Sequence, residues 1–261
     1  MSSSNVPKRS YGVDVSSYQS ENTNYPNAKF VFVKVTEGTG YINPKASAQI
    51  RSAKNHDQLV ASYFYANHSS SVSKAKAEAK YAVSKAKALG VPLGSYVADD
   101  FEQGDGNSVY GSASANTDAI LAAMSVIKEA GYKPLVYANT SVLRNNLAVS
   151  RIVKSYGTCI WMASYKISGR QDHADFNYFP PMDGVAIWQF ADNYRGCDVD
   201  GNINLVDLKI SSDNHQAKSV KKAAESLSQH PVIRWDIGAV AVVANSKGAY
   251  VYTDSKLTKR E

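Results

Sequence analysis

Eight short, nearly continuous apolar runs punctuate residues 11–206, with helix-like stretches or long polar loops between them. They are Tyr11–Ser16, Phe30–Thr36, Leu59–Tyr65, Ser95–Glu102, Pro134–Ala138, Cys159–Ser164, Gly184–Phe190 and a weaker Asn202–Val206. A strand with one wet face alternates apolar and polar residues, whereas a run that is apolar throughout is buried on both faces. Helices are legible in the connections. Val72, Ala75, Ala79, Val83, Ala86 and Leu89 share one helical face, and Gly90 follows as a stop signal. Ile120, Leu121, Met124 and Ile127 do the same over Thr117–Ala130, with Gly131 at the C′ position, and a short helix fits Pro44–His56. Buried strands alternating with helices predict a parallel sheet covered on both sides, and eight of them predict a closed α/β barrel. The 103–116 connection is too loose for a regular helix at every crossover, so the expectation is an irregular (β/α) barrel with some helices missing.

After about residue 212 the composition changes. Residues 213–230 are rich in Ser, Lys and Ala and read as a linker; residues 231–261 turn to β character. There, Val240–Val243 and Ala249–Tyr252 are strand-like around the turn signal Asn245-Ser-Lys-Gly248. About 30 residues are too few for a secure core of their own. The expected organisation is a catalytic-size domain over 1–212, a linker, and an incomplete β-type segment.

Composition narrows the function. The 261-residue chain has a net charge of +6, which suits a polyanionic partner. It has no run of five or more basic residues, no zinc-finger spacing and no RNA-binding aromatic motif, which argues against nucleic acid. No apolar run reaches the roughly 20 residues that span a bilayer, so no membrane insertion is expected. The polar first ten residues carry no secretory signal core. Cys159 and Cys197 form no metal motif and read as two buried thiols, and the five histidines show no metal or triad spacing. No cofactor or metal is called for. Tyrosine is abundant, with 17 copies; its flat face and polar tip suit sugar rings, though strands favour it as well.

In a β/α barrel the functional residues gather where strands end. The fourth run ends Ala98-Asp-Asp-Phe-Glu102, and Asp100 and Glu102, two apart on an extended chain, face the same way. Neighbouring carboxylates in a buried place repel, so one can stay protonated while another ionises, as acid-catalysed glycoside cleavage requires. The other ends supply Asp14, Glu37, Tyr63, Tyr65, Tyr137, Trp161, Tyr165 and Gln189. An ionised carboxylate such as Asp14 inside an apolar strand costs several kcal/mol unless it is partnered. Core filling is the plain alternative for the aromatics, and a structural hydrogen-bonded acid is the alternative for Asp14.

Seven of these segments, in order, resemble glycoside hydrolase family 25: Tyr11-Gly-Val-Asp-Val-Ser-Ser-Tyr-Gln19, Phe32-Val-Lys-Val-Thr-Glu-Gly38, Ala61-Ser-Tyr-Phe-Tyr65, Asp100-Phe-Glu102, Leu135-Val-Tyr-Ala-Asn139, Trp161-Met-Ala-Ser-Tyr165 and Ile187-Trp-Gln-Phe190. The resemblance covers roughly residues 10–210. It implies a muramidase of the phage-endolysin type that cleaves the β-1,4 bond between N-acetylmuramic acid and N-acetylglucosamine in bacterial peptidoglycan. It further implies Glu102 as general acid/base, Asp100 as the acid that orients the acetamido group, and Asp14 in the same cluster, with Glu37 and the aromatics lining the cleft. The family has a further Asp late in the chain, in a V-D-x-N-like stretch. Aligned without a gap over Gly201–Leu205, that position is Asn204, and a small shift would make it Asp207.

Two alternatives stay open on the residues. A chitinase-like barrel also ends a strand in D-x-E but has another Asp two residues before the first acid, where this chain has Ala98. A wall-binding module that has lost catalysis would tolerate Asn204. The combined expectation is a monomeric lysin made in the host cytoplasm and acting at the cell wall.

Overall fold

The computed structural model describes residues 4–210 and, in backbone only, 233–237, 240–245 and 248–252. Contacts divide the chain into two units, residues 1–211 and 212–261. In the first, eight strands close into a barrel. They are β1 (Tyr11–Val15), β2 (Ala28–Glu37), β3 (Leu59–Tyr65), β4 (Tyr96–Asp100), β5 (Lys133–Asn139), β6 (Ile160–Ala163), β7 (Val185–Ala191) and β8 (Asp200–Asn204). Neighbours pair in parallel from β1 through β7, but β8 is antiparallel to both β7 and β1 as it closes the ring. The irregular barrel is as expected. The direction of its last strand is not, and that reverses which end of β8 reaches the mouth.

The near-absence of alternation in the strands has its reason here: one face of each strand fills the barrel and the other meets helices. Phe32, Tyr63 and Tyr137 surround Trp161 inside, with ring centroids 4.5, 5.9 and 4.8 Å from it. Lower down, the Phe30 ring lies so close to Gly12 that any side chain there would collide with it.

Outside run α1 (Ala46–Asn55), α2 (Val72–Leu89), α3 (Ala113–Glu129), α4 (Thr140–Asn145) and α5 (Val149–Tyr156). Helix α2 starts where the Ser71 side chain accepts the Lys74 N–H. It ends at Gly90, whose φ of 87° is left-handed and cheap only for glycine. Its buried stripe is mostly alanine, Ala75, Ala79, Ala82 and Ala86, which permits close approach. Helix α3 begins four residues before the sequence pattern suggests, because Ser112 caps it by accepting the Ala115 N–H. It buries Ile120, Met124 and Ile127, each worth roughly 2 kcal/mol.

Two crossovers lack a helix, residues 16–27 and 164–184. In the second, aromatics cover the outer face of β7 instead. Phe176 and Phe179 pack on Trp188 at 5.5 and 5.2 Å, and the Arg9 guanidinium lies 3.5 Å over Phe176. Trp188 is therefore an outer-layer core residue and does not face the barrel interior.

The second unit contains an antiparallel three-stranded sheet, β9 (Ile233–Ile237), β10 (Val240–Asn245) and β11 (Gly248–Tyr252). The expected linker 213–230 lies outside the described residues. Both cysteines are free thiols, but only Cys159 is buried, its thiol pushed up to about 12 by burial, while Cys197 is half-exposed. Among the described residues no helix is long and apolar enough to cross a membrane.

Candidate active site

The mouth of the barrel, at the C-terminal ends of β1–β7, holds a cavity of about 80 Å³ lined by Asp14, Tyr63, Asp100, Glu102, Tyr137, Trp161, Gln189 and Asp200. Alternation on β4 turns Ala98 and Asp100 inward and Asp99 outward, and Glu102 follows just past the strand. Asp14 comes from β1. Its Oδ2 accepts hydrogen bonds from Gln189 Nε2 at 2.9 Å and Asn202 Nδ2 at 2.7 Å. Asn202 in turn accepts the Trp161 indole N–H at 2.7 Å, and Gln189 Oε1 accepts the hydroxyls of Tyr137 at 2.9 Å and Tyr165 at 2.5 Å. This network fixes both amides and saturates one oxygen of Asp14. Asp100 differs: its Oδ1 is buried with no hydrogen-bond partner. A buried polar atom left unpaired costs about 1–3 kcal/mol, which a bound donor would recover.

Four carboxylates thus converge in a small cavity lined also by tyrosines, a tryptophan and a glutamine. The sequence model of glycosyl hydrolases family 25 matches residues 13–199. A lysozyme of Lactococcus phage mv1 is 37% identical over 179 residues, 67% of this chain and 89% of the relative. A lysozyme of Streptococcus phage Cp-1 is 32% identical over 176 residues, 67% of this chain but only 46% of the relative, so this chain spans less than half that protein's length. Among solved structures, the modular Cpl-1 endolysin complexed with a peptidoglycan analogue superposes with a TM-score of 0.67 at 26% identity, covering 96% of this chain and 70% of the other. The chain belongs to glycosyl hydrolases family 25.

Within this family 25 chain, the stretch that fits the V-D-x-N pattern is Val199-Asp200-Gly201-Asn202. The expectation of Asn204, or Asp207, at the last acid position is corrected. Because β8 is antiparallel, its first residue, Asp200, sits beside Asp14 in the pairing register, while Asn204 ends at the opposite pole. Asn204 is fully buried there and accepts the Ser10 N–H at 2.7 Å while donating to the carbonyls of Pro7 and Val206, both at 2.8 Å. It pins the N-terminal segment and has no place among the substrate-facing residues. Asp207 is exposed, accepting the Lys8 N–H at 3.0 Å with Lys209 at 3.6 Å.

The remaining sequence candidates divide by position. Asp14, Asp100, Glu102, Tyr63, Tyr137, Trp161 and Gln189 line the cavity. Trp161 forms its floor, only 1% exposed, with its N–H spent on Asn202. Tyr165 and Tyr65 stand beside it; the Tyr65 hydroxyl packs so tightly on Gly104 that any side chain there would displace it. Glu37 does not line the cavity. It pairs with Lys34 Nζ at 2.7 Å, and that ammonium also lies 4.8 Å over the Tyr65 ring. Lys34 is the cation nearest in effect to the acids, and with Asp200 and Asn202 it is a site residue that the sequence candidates omit.

Electrostatics follow from this packing. Burial raises Glu102, opposed by the Lys34 charge. Asp100 is raised well above the usual carboxylate range by burial and by Glu102, again opposed by Lys34. Asp14 is pushed up to about 6 by burial, which the Gln189 and Asn202 hydrogen bonds partly offset. Asp200 is pushed up to about 9 by burial and by the Asp14 charge, so of the two neighbouring acids it is the one held more strongly toward its neutral form. The acids therefore separate into protonated and ionised members. Among the described residues no group of three or more His, Cys, Asp or Glu is arranged to hold a metal ion.

Behind β4 lies a second titratable pair. Asp99 faces outward to His68, whose Nε2 is 3.2 Å from both carboxylate oxygens, and the imidazole stacks on Phe101 at 5.5 Å. Burial alone would lower the imidazole, but the Asp99 charge and hydrogen bond overturn that and hold it at about 8. The pair anchors the strand from which Asp100 and Glu102 project.

Proposed function

We propose that this chain is a muramidase that hydrolyses the β-1,4 bond between N-acetylmuramic acid and N-acetylglucosamine in bacterial peptidoglycan, with Glu102 as general acid/base. The observation that carries this reading is the convergence of Asp14, Asp100, Glu102 and Asp200 on one small cavity, with Glu102 raised by burial yet next to the mouth. The phage lysozymes it resembles, and the Cpl-1 endolysin complexed with a peptidoglycan analogue, supply the substrate class.

Glu102 donates its proton to the glycosidic oxygen as the C1–O bond breaks. A nucleophile must then meet C1. Asp14 Oδ2 is occupied by two amides, and burial and the Asp14 charge hold Asp200 toward its neutral form. Neither is a free nucleophile, which leaves the acetamido carbonyl oxygen of the muramic acid itself. Asp100 Oδ1, buried and unpartnered, accepts the acetamido N–H and turns that oxygen toward C1. The resulting oxazolinium is opened by water, which loses its proton to Glu102, and the configuration is retained. Substrate binding excludes water from the cavity and strengthens each of these interactions. Residues 231–261 act as a wall-binding segment in this reading.

Glu102→Gln keeps the shape of the side chain but carries no transferable proton. It is expected to lower the rate of turbidity loss of cell-wall suspensions by 10²–10⁴-fold, the usual share of general acid catalysis. Clearing at the wild-type rate would remove Glu102 from this role.

A further inference from the structure

The cavity, about 80 Å³, is smaller than a typical ligand site and takes at most one sugar ring. Any glycan strand entering it must therefore continue over the rim. Among the described residues the two most exposed large hydrophobic side chains are Tyr18, at 91%, and Tyr110, at 79%. Both lie on loops that leave the mouth end of the barrel. Tyr18 follows β1, which carries Asp14, and Tyr110 follows β4, which carries Asp100. Three steps separate these strands around the closed eight-strand ring, so the two loops rise from different sectors of the same end of the barrel that holds the cavity, and neither tyrosine lines the cavity itself.

Each tyrosine is free at the ring and fixed at the backbone. Around Tyr18, the fully buried Gln49 donates from Nε2 to the Ser16 carbonyl at 2.7 Å and the Ser20 carbonyl at 3.1 Å, and Lys45 Nζ donates to the Gln19 carbonyl at 2.8 Å. Around Tyr110, the fully buried Asn116 donates to the Val109 carbonyl at 2.8 Å and reaches the Gly111 carbonyl at 3.4 Å. The same loop is tied to the acid itself, because Asn107 Nδ2 donates to the Glu102 carbonyl at 2.7 Å. Buried amides on both sides hold the backbone while the ring projects into water. A rigidly presented aromatic loses little entropy when a flat partner stacks on it.

We propose that Tyr18 and Tyr110 are the outer sugar platforms of the site, stacking on pyranose rings of the glycan on either side of the cleaved bond and so favouring long strands over short ones. This deepens the muramidase reading and rests on it. The expected signature depends on length. Tyr18→Ala and Tyr110→Ala should each lower kcat/KM on long solubilised glycan strands roughly fivefold to tenfold, chiefly through KM, as the loss of one aromatic contact predicts. On a muropeptide tetrasaccharide that occupies only the cavity and its nearest neighbours, the loss should stay below about twofold. The Phe variants should retain wild-type turnover, because the ring face makes the contact. Tyr178→Ala, which removes a half-exposed tyrosine from the β6–β7 crossover, serves as the control on long strands. Equal losses on both substrates, or no loss on long strands, would overturn the proposal. A wild-type protein that releases no reducing-end muramic acid would instead overturn the muramidase reading, so the two failures are distinguishable.

Discussion

Asp200→Asn separates the electrostatic cost of the site from its chemistry. In the folded chain Asp200 is held protonated up to about 9 by burial and by Asp14, whereas an unfolded aspartic acid ionises near 3.8. Between those values the folded state binds one proton more than the unfolded state, so stability falls as pH rises. It is greatest below the unfolded value and is lost on the way to the folded one. One proton is worth about 1.4 kcal/mol per pH unit, so from pH 5 to 6.5 Asp200 alone withdraws up to about 2 kcal/mol. For a domain of this size that is a fall in Tm of roughly 4–8 °C. His68 stays protonated in the folded state throughout this window, but Asp14, held at about 6, titrates within it in both proteins, so the difference between the two slopes is what reports on Asp200. An asparagine cannot ionise but can still donate to the Asp14 carboxylate, so the variant should flatten this slope and melt higher than wild type at pH 6.5. Calorimetric melts of both proteins at pH 5, 5.5, 6 and 6.5 provide the check. Parallel slopes for the two proteins would refute the assignment of a buried proton to Asp200.

Asp99→Asn breaks the buried pair behind β4 and should cost about 3 kcal/mol in denaturant unfolding. It should also remove a pH dependence. His68 is raised to about 8, so the stability it contributes is complete below pH 6.5 and is lost as pH rises through 8, a decline that urea titrations should find in wild type and not in the variant. Gly104→Ala places a methyl group against the Tyr65 hydroxyl and should lower wall-clearing rate severalfold, with a shift in Tm of only a few degrees. Unchanged clearing would show that Tyr65 does not shape the cleft.

Much of the barrel was legible because doubly buried strands leave runs with no wet face, and seven of those runs end in polar residues that meet at the mouth. Helices α2 and α3 were legible from long apolar stripes and the glycines that end them. Helices α4 and α5 were not anticipated: they span six and eight residues, too short for an apolar stripe to repeat over several turns even though α5 is amphipathic. The largest error concerned β8. An apolar run reads the same in either direction, so its pattern does not show which end holds the acid. The connection does, since residues 192–199 are too short for a parallel crossover, which needs a dozen or more. That length is the signal that would have exchanged Asn204 for Asp200. Lys34 and the His68–Asp99 pair were hidden for another reason, because their partners come from other segments and only the closed barrel brings them together.

The central claim is that Glu102 protonates a muramyl glycosidic bond, and the chemistry of the new chain ends tests it most directly. Purified peptidoglycan digested by the wild-type chain, reduced with borohydride and analysed by mass spectrometry, should yield muropeptides ending in reduced N-acetylmuramic acid, and the Glu102→Gln digest should yield none. Fragments ending in reduced N-acetylglucosamine, or equal release by the variant, would contradict the account.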